Sequence, residues 1–118
     1  MRVTSDVFCS ALVRTVFGQG GFAAIASRGA REAGAIYVTQ RLRSGAFNLY
    51  GPAPQSFFDD NAGRDNAVDA RKFETLMEQV SEPDISERLQ RERHYDPDIW
   101  IVELETDSLP STIRLVEA

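Results

Sequence analysis

The chain is poor in the residues that most often do chemistry: its 118 residues include one cysteine, Cys9, one histidine, His94, and one lysine, Lys72. A lone cysteine excludes an internal disulfide and any multi-cysteine metal knuckle. A single imidazole leaves one base of the usual kind to activate a Ser, Cys or Thr nucleophile, and Cys9 falls on an apolar helix stripe, where a thiol is inert. No apolar run approaches the roughly 20 residues needed to span a bilayer. The opening Met1-Arg2-Val3-Thr4-Ser5-Asp6 lacks the long apolar region of a signal peptide. These absences predict a reduced, cytoplasmic protein with no membrane contact, no cofactor and no assignable catalytic residues.

What is present suits one compact α/β or α+β domain, since 42% of the residues are hydrophobic and can build a single core. The expected bounds are residues 1–106, followed by a C-terminal tail over 107–118. The formal charge of −5 is unevenly spread. Residues 1–58 hold six arginines against Asp6 and Glu32, a net of +4, whereas residues 59–118 hold seven cations against 16 acids, a net of −9. An acidic whole with a pI near 4.8 makes nucleic acid an improbable partner, because phosphate binding needs a concentrated basic face.

Phe8, Cys9, Leu12, Val13, Val16 and Phe17 recur at helical steps, with Ser5 or Asp6 placed to cap the first turn and Gly18, Gly20 and Gly21 to end it. A Gly-x-Gly-Gly cluster can cradle phosphate only with a strand before it and a helix after it. Here the helix comes first. Phe22 to Ala26 and the alternating run from Ile36 to Leu42 read as a strand pair across a connection bearing Gly29 and Gly34. A two-residue Ser44-Gly45 turn would set Leu42 opposite Phe47 and Arg41 opposite Asn48. That register gathers Tyr37, Thr39, Arg41, Asn48 and Tyr50 on one face.

Gly51-Pro52-Ala53-Pro54 predicts a stiff, extended connection, Gln55 to Phe58 a short strand, and Asp59 to Asp69 an exposed loop. Phe73, Leu76, Met77 and Val80 fit a helical stripe, yet the segment is short enough to extend, and a strand is the preferred reading. Ser81-Glu82-Pro83-Asp84 is a helix start, with an oxygen cap, an early proline and an acid three residues on. The helix should run to about Tyr95. Pro97 then stops it, and Trp100, Val102 and Leu104 alternate with Ile99, Ile101, Glu103 and Glu105. Because both faces begin apolar, this last strand belongs inside a sheet. Strand, helix, strand would make a parallel crossover within a mixed, mostly antiparallel sheet covered by at least two helices.

Two constellations deserve weighing as sites. His94, Asp96 and Asp98 stand together at a helix C-terminus, where a divalent cation would find an imidazole and two carboxylates. This is the basis of an alternative reading as a metal-dependent hydrolase or nucleic-acid processing protein. A nuclease of the restriction-endonuclease-like kind fails, since Glu103-Leu104-Glu105 is followed by Thr106 and not by a basic residue. The second constellation is the face with Tyr37, Arg41, Asn48 and Tyr50, whose flat aromatics and planar cation suit stacking or an anionic ligand.

In their order, Ser10-Ala11-Leu12-Val13-Arg14, Gly21-Phe22-Ala23-Ala24, Arg28-Gly29, Leu49-Tyr50-Gly51-Pro52-Ala53-Pro54 and Asp96-Pro97-Asp98-Ile99-Trp100-Ile101-Val102-Glu103 resemble an uncharacterised bacterial family, domain of unknown function 1491. The likeness runs from about Ser5 to Glu105. It implies a bacterial, stand-alone small domain and carries over no activity and no catalytic position. With no catalytic set legible, the expected function is a non-enzymatic interaction or regulatory module. It would present a sheet face, a strand edge or the Gly51–Pro54 loop to a protein partner or a second copy.

Overall fold

A computed structural model describes residues 3–54 and 71–116. The readings for Gln55–Phe58 and for Asp59–Asp69 lie outside the described residues. The elements run α1 (Ser5–Gly18), β1 (Phe22–Ser27), β2 (Ile36–Arg41), β3 (Phe47–Pro52), β4 (Phe73–Val80), α2 (Glu82–Tyr95) and β5 (Trp100–Glu105). The strands form one mixed sheet in the order β1-β5-β2-β3-β4, with β5 parallel to β2 and every other neighbouring pair antiparallel. This is an α+β domain with a helix on each face of its sheet.

Residues 73–80 are a strand, and Ser81 caps α2 by accepting from the Asp84 N–H at 3.4 Å. The parallel neighbour of β5 is β2. β4 runs in the same direction as β5 but lies three places away, so α2 crosses over β3 and β2. The expected adjacency of β1 and β2 is corrected likewise: β5 inserts between them, with both faces buried over its first half, Trp100–Val102. At α1 the cap is Thr4, whose hydroxyl accepts from the Val7 N–H. Ser5 is instead buried and donates to the Gly34 carbonyl at 2.6 Å.

The hairpin register also differs from the expected one. Leu42 pairs with Ala46, and the Gly45 N–H returns to the Leu42 carbonyl, which makes Arg43-Ser44-Gly45 a three-residue loop. Gly45 takes φ +96°, open to glycine at no steric cost. Arg41 therefore faces Phe47, Thr39 faces Leu49 and Val38 faces Tyr50.

The core is split by the sheet. Phe8, Leu12 and Val16 of α1 pack with Val38, Tyr50, Trp100, Val102 and Leu104 on one side, while Ile85 and Leu89 of α2 pack with Leu49, Ile99 and Ile101 on the other. The helices sit at opposite ends: α1 lies over β1 and β5, and α2 over β3 and β4. The segment after β5 lies on its own domain. Ile113 is buried in the α1-side core, and Leu115 bridges Phe73 at the start of β4.

Candidate functional site

The observed register separates the four residues expected on one face. Tyr37 and Arg41 lie on the α2 side, and Asn48 and Tyr50 on the α1 side. Tyr37 donates its hydroxyl to Glu92 Oε1 at 3.0 Å, and Glu92 in turn accepts from Arg88 Nε at 2.9 Å. Burial, and then the carboxylate beside it, push the Tyr37 pKa up to about 12. The Arg88 hydrogen bond is the foremost cause holding Glu92 below the usual carboxylate range. Arg41 is exposed, with its guanidinium 5.9 Å from the Phe47 ring centre. The Tyr37–Glu92 bond clasps α2 to the sheet.

Asn48 and Tyr50 belong to a closed network around Gln40, a residue sequence reasoning passed over. The Tyr50 hydroxyl donates to Gln40 Oε1 at 2.7 Å, Asn48 Nδ2 to the same oxygen at 3.2 Å, and Gln40 Nε2 to the Thr106 carbonyl at 2.9 Å. Asn48 Oδ1 accepts from the N–H of Gln79, which stands at φ 56°. Burial raises the Tyr50 pKa. The signal for Gln40 was its parity, since it follows Ile36 and Val38 on the core-facing positions of β2.

The metal reading is not supported. Asp96 Oδ1 accepts from the Asp98 N–H at 3.0 Å, a turn-closing contact, and the His94 ring meets Tyr95 edge-on at 5.6 Å. No group of three or more His, Cys, Asp or Glu is placed to hold a metal ion among the described residues. Cys9 is fully buried, and burial foremost pushes its thiol up to about 12, so it stays protonated near neutrality.

A cleft of about 360 Å³ opens beyond the carboxyl ends of the parallel pair β2 and β5, between Gln19, Arg41, Arg43, Glu105 and Asp107. Its charges are of both signs, and Asp107 is occupied by the Arg43 N–H at 2.7 Å. A second hollow of about 210 Å³ at the other end of the sheet is lined by Gly34, Ile36, Pro52, Arg71 and Phe73. Arg71 there serves the fold, donating to the Val3 carbonyl at 2.8 Å with its guanidinium 5.4 Å over Phe8.

Among the described residues a further open feature is the outer edge of β1. Phe22-Ala23-Ala24-Ile25-Ala26-Ser27 carries no charge and, among the described residues, pairs with β5 on one side only and ends the sheet. Beside it Phe17 and Phe22, 52% and 50% exposed, meet edge-on at 5.5 Å and form an apolar step at the entrance to the strand. An open, uncharged edge is a template for another strand.

Fold and site thus define a small α+β domain with, among the described residues, one open sheet edge. The chain belongs to the DUF1491 family of proteins of unknown function, whose family model matches residues 3–114. It is similar to the solution structure of protein Atu0922 from A. tumefaciens, with 50% identity over 100% of this chain and 98% of that one and a TM-score of 0.84. A crystal structure of a DUF1491 family protein from Caulobacter crescentus CB15 matches at 26% identity and TM-score 0.75, covering 99% of this chain and 100% of that one. An NMR structure of a DUF1491 family protein from the same organism matches at 27% identity and the same TM-score, covering 99% of each chain. No curated protein matches. No helix among the described residues is long and apolar enough to cross a membrane.

Proposed function

We propose that this protein is a non-catalytic interaction module of the bacterial cytoplasm that captures a partner by strand addition to β1. The observation that carries the reading is the uncharged β1 edge, unpaired among the described residues, beside the exposed Phe17 and Phe22 rings. Main-chain groups along the edge would supply affinity, and the alternating side chains would supply selectivity. The Gly51–Pro54 segment supports this role less, because Gly51 and Pro52 already pair with β4.

Comparative capture tests the reading. Tagged wild-type protein and an Ala24→Lys/Ala26→Lys variant are exposed to the same cell extract, and retained proteins are compared. A partner held by the wild type and lost with the charged edge is the expected result. Equal retention by both, or no retained protein above background, would overturn it.

A further inference from the structure

Resting on that reading, we infer that the strand recruited to β1 is a basic one, an extended polypeptide segment whose cationic side chains reach over β1 to Glu103 and Glu105. Phe22 stands opposite Glu105 and Ala24 opposite Glu103 in the β1–β5 register, so these four side chains share the α2-side face of the sheet. α2 packs over β3 and β4, at the far end, which leaves both glutamates exposed. Neither forms an ion pair among the described residues. The nearest cation by register is Arg41, opposite Glu105, and its guanidinium lies against Phe47 on the strand beyond.

The small side chain of Ala24 makes Glu103 directly reachable, whereas Phe22 stands before Glu105, which a long cationic side chain over Ala24 meets on the diagonal. A strand added outside β1 would run about 4.8 Å from it, and so about 10 Å from β5. Over Ala24 only a methyl group intervenes, and a long cationic side chain on the added strand can lie across it toward Glu103. A valine or leucine at that position would block the path. Apolar residues of the same segment would rest on the exposed Phe17 and Phe22 rings.

A second copy of this chain suits the edge less well. β1 itself has no cationic residue, so two β1 strands paired about a two-fold would bring Glu103 and Glu105 from both copies to one face without a counter-charge. Arg28, just past the strand, is held by Asp6 at 3.6 Å and lies 5.8 Å over Trp100 on the α1 side.

Fluorescence anisotropy with labelled, end-blocked hexapeptides tests this. The probes alternate valine with lysine, with glutamine, or with glutamate, and a fourth is the valine–lysine peptide with every amide N-methylated. The valine–lysine peptide should bind about tenfold more tightly than the glutamine peptide, the size expected of two exposed ion pairs. E103Q/E105Q should erase that preference, and raising salt should weaken it. Unchanged thermal unfolding of the variant shows that its fold survives. If valine–glutamine binds as well as valine–lysine while the N-methylated peptide does not, the basic partner is wrong and strand addition stands. If the N-methylated peptide binds equally, or no peptide binds, strand addition fails and this inference with it.

Discussion

The sheet has two edges, and they are built differently. β4 carries Glu74 and Glu78, is interrupted by irregular register opposite Leu49, holds Gln79 at φ 56°, and is met at its start by the chain's own Leu115. Charge, bulges and a covering segment are the devices by which proteins keep an edge from pairing with strangers. β1 has only one irregularity, between Ile25 and Ser27, and no charge at all. One edge is closed by three independent means and, among the described residues, the other is left open; that contrast is what supports the proposed capture at β1.

The contrast predicts that the open edge has rigid ends. Gly29, just past β1, lies so close to the turn entering β5 that a Cβ there would meet the Asp98 carbonyl and the Ile99 backbone. The Ala30 N–H to Asp98 carbonyl bond, at 2.9 Å, and the bond from Trp100 Nε1 to the Ala30 carbonyl, at 2.7 Å, tie the same segment down. Backbone cannot yield as a flexible side chain would. Gly29→Ala should therefore cost about 3 kcal/mol or more in denaturant unfolding, the upper range for overpacking. A loss below about 1 kcal/mol would mean that the exit of β1 is pliable.

At the closed edge Asn48 is the anchor. Asn48→Ala strands the Gln79 N–H and removes a donor from Gln40, a loss of about 2 kcal/mol by the same measurement. Amide exchange should then quicken along β4 and not along β1. Equal quickening at both edges would erase the distinction drawn between them.

How far these features could be read beforehand depended on their range. Ser81, Pro83 and the apolar start of β5 act within a few residues, and from them α2 and an interior strand were legible. The hairpin register turned on the left-handed geometry of Gly45, and moving it by one position divided Tyr37 and Arg41 from Asn48 and Tyr50. Insertion of β5 between β1 and β2 pairs residues some 80 positions apart, beyond any local pattern. The absence of charge in Phe22–Ser27 was visible, but its position at an edge is a property of topology. His94, Asp96 and Asp98 were near in sequence, but the Asp96 carboxylate closes a turn onto the Asp98 N–H while the His94 ring stands against Tyr95.

A smaller effect is expected where α2 clasps the closed half of the sheet. Tyr37→Phe removes the hydroxyl donated to Glu92 and should cost about 1 kcal/mol near neutrality. The folded Tyr37 pKa of about 12 lies above its ordinary 10, so its contribution is full below pH 10 and is lost as pH climbs toward 12. Glu92 has the opposite sign: its lowered folded pKa gives stability present above about 4.5 and lost as pH falls through the folded value. Stability measured against pH should decline at both ends, and Tyr37→Phe should shallow the alkaline limb. Tyr50, raised by burial, keeps part of that limb in place.

The smallest expected change in stability is the one that tests the open edge most directly. Lysine at Ala26 points no charge into a core, since this residue is exposed and lies next to the irregularity in the β1–β5 pairing. Ala26→Lys should therefore alter unfolding by less than about 0.5 kcal/mol. The same charge placed on an edge is a natural deterrent to strand pairing, so binding should fall while the fold is untouched. A loss of stability as large as that of Asn48→Ala would show that the β1 edge is already packed by its own chain, and the two edges would then be alike.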